Sequence, residues 1–245
     1  MAGHLADHDD RFLTAVQTMT ISDIRQTARL HIANLPTGFF PQLGHGFVRR
    51  WHRTFVDAPV GVALVVKDSD GRVAAFLLGT TDQQAYMREV LDGDRLALAW
   101  RGAAGLLSRP SLARHFVRTR AEPYARRLGQ QQRPVERRSV SSGAEPGAQP
   151  DEIGSSSADA SAEPVGVVHA LVPRPAFRGA GYGRLLLRRY ELQLAMAGTR
   201  LGRLVTQADG GAADFYRRLG WREACRRLDR DGREIIQFER VIGFL

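Results

Sequence analysis

FRGAGYGRLLLRRY, residues Phe177–Tyr190, places three glycines directly in front of an amphipathic run. The apolar segment VGVVHALV at 165–172 comes shortly before it and is typical of a buried strand. Glycines between a strand and a helix let backbone N–H groups point at an anion, and the helix dipole favours negative charge at the same place. The stretch therefore predicts an anion-binding turn, suited to a phosphate group.

Two common phosphate-binding motifs do not fit this turn. A P-loop is excluded because no Gly-Lys-Ser/Thr follows. A dinucleotide-binding turn needs G-x-G-x-x-G and an acidic residue about 20 residues later. Here the spacing is G-x-G-x-G, and Asp209 falls about thirty residues after Gly179.

The glycine turn resembles that of the GCN5-related N-acetyltransferases, the GNAT superfamily. Arg178, Gly181 and Gly183 match the family pattern R/Q-x-x-G-x-G/A, and Pro175 matches its V-D-P-x-x-R-G lead-in. Downstream, DGGAADFYRRLGW at 209–221 resembles the family pattern N-x-x-A-x-x-x-Y-x-x-x-G-F. The matching positions there are Asp209, Ala212, Tyr216, Gly220 and Trp221. The resemblance is good over 165–245, plausible over 12–81, and says little about 82–164.

The resemblance implies acetyl-CoA as cosubstrate. The N–H groups of residues 178–183 would then hold its pyrophosphate, and the main chain of residues 171–173 would lie beside its pantetheine arm. Pro173 departs from that pattern because it offers no N–H, so one bond to the arm is lost or shifted. The cofactor-binding residues implied are Leu171, Val172, Pro173, Arg178, Gly179, Ala180, Gly181, Tyr182, Gly183, Arg184, Asp209, Ala212, Phe215 and Tyr216.

The order of predicted elements indicates an α/β fold. Periodicity and turn signals give β-α-α-β-β-α, a linker, and β-α-β-α-β-β. Strand-helix-strand alternation predicts parallel neighbours, and the hairpins at Asp70-Gly71 and Asp231-Gly232 predict antiparallel ones. We therefore expect a central mixed sheet, flanked by helices. The resemblance gives the same element order and implies the GNAT-like acyl-CoA acyltransferase fold, whose mixed sheet is mostly antiparallel.

We expect one acetyltransferase domain over 12–245, after a flexible N-terminus at 1–11. Residues 128–164 are rich in Ser, Ala, Gly, Gln and Pro and have almost no large apolar side chains. Such a segment cannot bury enough surface to offset its ordering entropy, so we predict a disordered insertion.

The composition of the chain limits which classes of protein it can belong to. The 245 residues include 43% hydrophobic and 25% charged residues and one cysteine, Cys225, which excludes an intrachain disulfide framework. The first residues do not resemble a secretory signal, and no apolar run reaches the roughly 20 residues of a membrane helix, so we expect a cytoplasmic protein. The net charge of +9 comes from arginines spread along the chain, without zinc spacing or a helix-turn-helix pattern. We therefore expect no nucleic-acid partner and no membrane, and the oligomeric state is open, a dimer included.

Acetyl transfer to an amine needs a base for the amine and an acid for the departing thiolate. Tyr216 matches the family's thiolate-protonating tyrosine, and a phenol is protonated at pH 7. Its alternative role is a core tyrosine. His169 is the candidate base, predicted to alternate with Val167 and Leu171 on one strand face, and a histidine is mostly neutral at pH 7. Its alternatives are a buried structural histidine, or a water relay from backbone carbonyls.

The acceptor site is predicted in the loop LPTGFFPQLGHGF at 35–47, which by the resemblance lines it. The candidate substrate-binding residues are Phe39, Phe40 and His45, although these aromatics equally suit a core. Histidines scattered along the helices do not specify a metal site, so none is expected. Cys225, in a predicted strand, is interpreted as a small buried residue.

The predicted function is transfer of an acetyl group from acetyl-CoA to a primary amine of a small molecule, such as an amino sugar or an antibiotic-like metabolite. A protein N-terminus or a lysine is the alternative acceptor, and a longer acyl group is an alternative donor. A non-catalytic CoA-binding sensor or scaffold is the alternative from another class. A nucleic-acid module would show an affinity that falls steeply with salt.

Overall fold

A seven-stranded sheet organises the computed structural model, which describes residues 15–35, 39–93, 163–209, 211–229 and 231–243. The strands are β1 Val16–Thr18, β2 Gly61–Lys67, β3 Val73–Thr80, β4 Val165–Pro173, β5 Leu201–Gln207, β6 Arg222–Leu228 and β7 Glu234–Val241. The helices are α1 Ile24–Asn34, α2 Phe39–Gln42, α3 His45–Asp57, α4 Gln83–Gly93, α5 Tyr182–Met196 and α6 Ala212–Arg218. Short 3-10 turns precede α1 at Ile21–Asp23 and α5 at Pro175–Phe177.

The strand order is β1-β2-β3-β4-β5-β7-β6. Only the β4–β5 pair is parallel, and the other neighbours are antiparallel. The predicted mixed, mostly antiparallel sheet and the predicted order of its elements are therefore confirmed. The short helix α2 lies inside the predicted acceptor loop and was not expected from the sequence.

The sheet is split at its centre, between β4 and β5. The two strands pair only over Val165–Val168 and Leu201–Leu204. Beyond that point β4 continues to pair with β3 as far as Pro173, and β5 continues to pair with β7 as far as Gln207. The carboxyl-terminal halves of two parallel neighbours therefore leave a cleft between them, which we call the β4–β5 cleft.

A β-bulge lies where the cleft begins. The register of β3 against β4 shifts between Leu78 and Gly79, which leaves His169 as the extra residue on β4. A bulge reverses the alternation of side chains beyond it. Leu171 therefore packs on the side of α5, whereas His169 contacts aromatic rings on the other side. The prediction that His169 and Leu171 share one face is wrong for this reason.

Helices cover both faces of the sheet. On the α5 face, Leu186, Leu187, Tyr190 and Leu194 are fully buried against alternate residues of β2 and β3. On the α3 face, Phe47, Trp51 and Phe55 pack with α1, α4 and the intervening sheet residues.

Among the described strands, β6 forms one edge of the sheet and pairs only with β7. Most of its side chains are exposed, and Cys225 is exposed with them. The predicted burial of Cys225 is therefore wrong, because an edge strand at the end of the sheet is not sandwiched between helices.

Several sequence predictions lie outside the described residues. These are the N-terminus at 1–11, the helical pattern beyond Gly93, and the insertion at 128–164 apart from its last two residues. Among the helices described here, none has both the length and the apolar character needed to cross a bilayer.

Candidate active site

The glycine turn joins β4 to α5. Gly181 is the N-cap of α5 and has a φ of 86°, a left-handed conformation in which an L side chain is strained. A Cβ at Gly181 would meet nothing within 4 Å, so backbone conformation alone explains this glycine. Gly183 is different, because a Cβ there would lie 3.0 Å from Cζ of Phe215 on α6. The two family-like motifs are therefore in direct contact.

The turn presents a row of backbone amides without partners. The amides of Arg178 and Ala180 donate to carbonyls of the preceding 3-10 turn, each over 3.2 Å. The first amide of α5 that finds a carbonyl one turn back is that of Leu185, which donates to Gly181 over 3.2 Å. Of the amides in this turn, those of Gly179, Gly181, Tyr182, Gly183 and Arg184 have no backbone acceptor among the described residues. These five donors at a helix N-terminus suit an anion.

A cavity of 330 Å³ begins beside this turn, in the first turn of α5. Four arginines and one glutamate line it together with two leucines: Arg184, Arg188, Arg218, Arg240, Glu191, Leu187 and Leu219. Arg240 donates to the Gly220 carbonyl over 2.9 Å and lies 3.8 Å from Glu191. Arg184 and Arg218 have no hydrogen-bond or ion-pair partner among the residues described. We call this space the arginine cavity, and its surplus of cations favours an anionic ligand.

His169 lies at the start of the β4–β5 cleft, half-buried against the α3 face. Its Nε2 lies 2.8 Å from Oε1 of Gln83, which also accepts from the Thr80 hydroxyl over 3.0 Å. Because that amide oxygen accepts, Nε2 carries the proton and Nδ1 keeps its lone pair. No hydrogen bond to Nδ1 is found in the described parts of the chain.

Burial lowers the pKa of His169 to about 4. The ring centroids of Phe55, Tyr86 and Trp51 lie 5.0, 5.9 and 6.3 Å from that of His169, which explains the apolar surroundings. The imidazole is therefore neutral at pH 7 and available to accept a proton, although as a weaker base than a solvated histidine.

Tyr216 is buried on α6, on the other side of the cleft. The rings of Phe215, Phe238 and Trp221 surround it at centroid distances of 5.2, 5.7 and 6.4 Å. Its hydroxyl makes no hydrogen bond to the described residues, yet it is not among their buried polar atoms without a partner, so it keeps contact with solvent. Burial raises the pKa of this phenol above its ordinary value, so it remains a proton donor.

The remaining predicted cofactor residues border the same region. Asp209 is exposed just beyond β5, Ala212 is the first residue of α6, and Phe215 is half-buried against Gly183. Leu171, Val172 and Pro173 form the part of β4 that lacks β5 as a neighbour. The structure therefore brings the predicted cofactor residues together around the cleft and the turn.

The predicted acceptor residues are not gathered in the same way. The ring of Phe40 packs 4.8 Å from Trp51 and 5.3 Å from Phe47, as in a core. His45 is exposed at the first residue of α3, and the side chain of Phe39 lies outside the description. Within the described chain, no three His, Cys, Asp or Glu side chains converge as metal ligands would. The substrate-binding role of Phe39, Phe40 and His45 stays a prediction.

Sequence analysis missed two contacts of the site. Gln83 supports His169 from α4, 86 residues away, and no pattern in its surroundings points to that partner. Arg178 Nη2 donates to Oδ1 of Asn34 over 2.9 Å and so links the glycine turn to the end of α1. Both contacts depend on how distant elements pack, which a local motif does not contain.

The match to a protein family decides the identity. The acetyltransferase (GNAT) domain family matches residues 148–223, a segment that includes β4, the glycine turn, α5, β5 and α6. This segment, about a third of the chain, is a GNAT acetyltransferase domain. The resemblance inferred from its two motifs, and the enzyme class predicted from them, are thereby confirmed.

Solved structures share the fold of this GNAT acyltransferase. An N-acetyltransferase from Staphylococcus aureus Mu50 is 10% identical, with a TM-score of 0.51 over 93% of this chain and 98% of that one. Ard1 from Thermoplasma volcanium is 12% identical, with a TM-score of 0.50 over 93% and 97%. A GNAT-family acetyltransferase from Streptococcus pneumoniae is 13% identical, with a TM-score of 0.50 over 93% and 98%. No curated protein matches the chain in sequence.

Proposed function

We propose that this GNAT acyltransferase moves an acetyl group from acetyl-CoA to a primary amine of a small molecule. The observation that carries the proposal is the row of five unpartnered amides at the start of α5, beside the open end of the β4–β5 cleft. Those amides would hold the pyrophosphate, because each is a donor without an acceptor and the helix dipole adds to their field.

The surroundings of the turn fit the rest of acetyl-CoA. The edge of β4 that faces the cleft is without a neighbouring strand beyond Val168, so its peptide groups are available to the amides of the pantetheine arm. Pro173 offers only its carbonyl there. The arginine cavity would take the 3′-phosphate, since Arg184 and Arg218 line it without partners of their own.

His169 and Tyr216 would manage the two proton transfers. Nδ1 of His169 accepts a proton from the acceptor amine, directly or through a water molecule. The hydroxyl of Tyr216 donates its proton to the departing sulfur, so that a C–N bond forms as the C–S bond breaks. Acetyl-CoA supplies the thioester that makes the acetyl carbon electrophilic.

The acceptor we propose is a compact amine, such as an amino sugar or an antibiotic-like metabolite. What supports this choice is the acceptor loop at 35–47, which resembles that of acetyltransferases acting on amino sugars or antibiotic-like molecules. The rings of Trp51, Phe55 and Tyr86 beside His169 are buried in the core. A screen for thiol release with amino sugars, polyamines, N-terminal peptides and lysine peptides tests it. Turnover of peptides alone would replace the small molecule by a protein acceptor.

The cofactor proposal is tested by titrating the purified protein with acetyl-CoA in a calorimeter, with NAD and ATP as controls. We expect the wild type to bind acetyl-CoA. The affinity of Gly181→Val should be lower by about tenfold or more, because a Cβ at this positive φ costs about 1–2 kcal/mol and redirects the amides. Gly232→Val is the matched control, since it has a φ of 79° in the β6–β7 hairpin, which makes no hydrogen bond to the glycine turn among the described residues. Equal affinity in Gly181→Val and the wild type would contradict the pyrophosphate site. Dephospho-acetyl-CoA should bind more weakly than acetyl-CoA if the arginine cavity holds the 3′-phosphate.

The role of His169 predicts a pH dependence. Because its pKa is about 4, the imidazole stays neutral from pH 8 down to pH 5. We expect His169→Ala to lower kcat/KM about 10- to 100-fold, by a ratio to the wild type that is constant over this range. The acceptor's own ionisation cancels in that ratio. A ratio that declines towards one with a midpoint near pH 6.5 would show a solvated histidine, and a ratio of one throughout would favour the water relay.

A further inference from the structure

The five-residue pattern D-x-D-G-R occurs twice in this chain, each time between two antiparallel strands. DSDGR at 68–72 joins β2 to β3, and DRDGR at 229–233 joins β6 to β7. In the first loop, Oδ1 of Asp68 accepts from the amides two and four residues later, over 3.1 and 2.8 Å. In the second, Oδ1 of Asp229 accepts from the amides at the same two positions, both over 2.8 Å. One oxygen of each aspartate therefore builds its own turn.

The two loops differ in what the second carboxylate oxygen does. Oδ2 of Asp229 accepts from Nε of Arg233 over 3.1 Å, so that loop is closed on itself. Oδ2 of Asp68 instead accepts from Nη1 of Arg174 over 2.9 Å, 106 residues away in sequence. The arginine that corresponds to Arg233, Arg72, is directed elsewhere and lies 3.9 Å from Asp70. The first loop thus uses one oxygen for a distant partner.

That partner stands where β4 enters the glycine turn. The amide of Arg174 donates to the Ala74 carbonyl over 2.8 Å, and its Nη2 donates to the Val73 carbonyl over 2.5 Å. Its guanidinium also lies 5.5 Å from the ring centre of Phe177, in the 3-10 turn that leads to the glycines. A single side chain therefore connects the hairpin, the start of β3 and the entrance to the turn.

We propose that Asp68 and Arg174 are positioning residues that hold the amides of the glycine turn in place for their anion. The inference rests on the proposed function of that turn as the pyrophosphate site. The turn itself is exposed and its glycines impose no fixed conformation, so its position depends on the contacts at its ends. At the β4 end the Asp68–Arg174 pair supplies this contact, with side chains that are 13% and 29% exposed.

The duplicated loop provides a matched pair of variants. Asp68→Asn keeps an oxygen for the two loop amides but replaces the second oxygen with an NH₂ that cannot accept from Arg174. Asp229→Asn makes the identical change where the partner is Arg233, within the same loop. Arg174→Lys is a second variant, because a lysine keeps the charge but cannot bond the carboxylate and the Val73 carbonyl in the same fork.

The readouts are hydrogen exchange within 175–184 of the ligand-free protein, followed at the bonded amides of Phe177, Arg178 and Ala180, and the kinetic constants for acetyl-CoA. In Asp68→Asn we expect faster exchange of those amides, a KM for acetyl-CoA raised about three- to tenfold, and kcat within about twofold of the wild type. Arg174→Lys should show a smaller change in the same direction. Asp229→Asn should leave both the exchange of 175–184 and the acetyl-CoA affinity unchanged.

The outcomes separate this inference from the proposed function. Unchanged exchange of 175–184 in folded Asp68→Asn and Arg174→Lys would overturn the positioning role, and so would equal effects of Asp68→Asn and Asp229→Asn. If exchange is faster in Asp68→Asn but the wild type does not bind acetyl-CoA, the positioning role of Asp68 and Arg174 would be supported. The assignment of acetyl-CoA as the ligand of the turn would then be overturned.

Discussion

Replacing Tyr216 with phenylalanine is expected to lower kcat about 100-fold while the affinity for acetyl-CoA stays within about twofold. The substitution removes only the hydroxyl, and the ring contacts with Phe215, Trp221 and Phe238 are kept. The departing thiolate then lacks its acid, which affects turnover rather than binding. Thiol release at saturating substrates and calorimetric titration measure the two quantities separately.

Tyr190 offers a control for this experiment. It is also a fully buried tyrosine, but its hydroxyl donates to the Thr80 carbonyl over 2.9 Å. Tyr190→Phe should cost about 1 kcal/mol of stability through the lost hydrogen bond and leave kcat largely unchanged. If Tyr216→Phe has the same kcat as the wild type, the role of Tyr216 is purely structural.

The second large effect is a loss of stability in weak acid. Burial lowers the pKa of His31 to about 4 and holds the pKa of His52 well below its usual value, where the nearby His31 contributes further. The unfolded chain takes up these protons near pH 6.5, and the folded chain only near pH 4. The stabilisation that depends on neutral imidazoles is therefore fully present above pH 6.5 and is lost as the pH falls from 6.5 to 4. For His31 alone, the free energy of unfolding should fall by roughly 1.5 kcal/mol from pH 6.5 to 5 and about 3 kcal/mol by pH 4.

The cause is a buried polar chain between α1 and α3. The Thr27 hydroxyl lies 2.9 Å from Nδ1 of His52, and Nε2 of His52 lies 3.2 Å from Nδ1 of His31. While both imidazoles are neutral, each contact joins one donor to one acceptor without a buried charge. A proton on one ring would place a charge in this dry interior, and protons on both rings would also put two N–H groups face to face.

Urea denaturation at pH 7.5, 6.5, 5.5 and 5 measures this loss before most carboxylates titrate. His31→Gln should reduce the pH dependence by the share of His31, at the cost of lower stability at neutral pH, while the contributions of His52 and His169 remain. His45→Gln, which changes an exposed histidine at the start of α3, should retain it in full. A wild-type free energy that is flat from pH 7.5 to 5 would contradict the neutral buried pair.

The glycine turn could be predicted from the sequence because its determinants are local. Gly181 needs a positive φ and α5 needs an open N-terminus, and both requirements are met within a few residues. The face of each residue beyond His169 could not be predicted, because β4 itself has no glycine or proline at the bulge and Gly79, which lies opposite, belongs to β3. Its position follows from the register of β3 against β4, which is a long-range property.

The same distinction explains the contacts that support the site. His169 is recognisable on its strand, but Gln83 is 86 residues away, and Arg174 is separated from Asp68 by 106. The two D-x-D-G-R loops show this limit of local sequence most clearly, since their nearly identical sequences make hydrogen bonds to different partners. Cys225 was misjudged for a related reason: its strand is at an edge, and edge position depends on the order of strands rather than on composition.

The bulge at His169 also has a consequence for protein engineering. A single extra residue in β4 lies at the point where a parallel strand pair stops. A strand grafted from another protein would have to keep this one residue, because without it every side chain from Ala170 to Pro173 would change face.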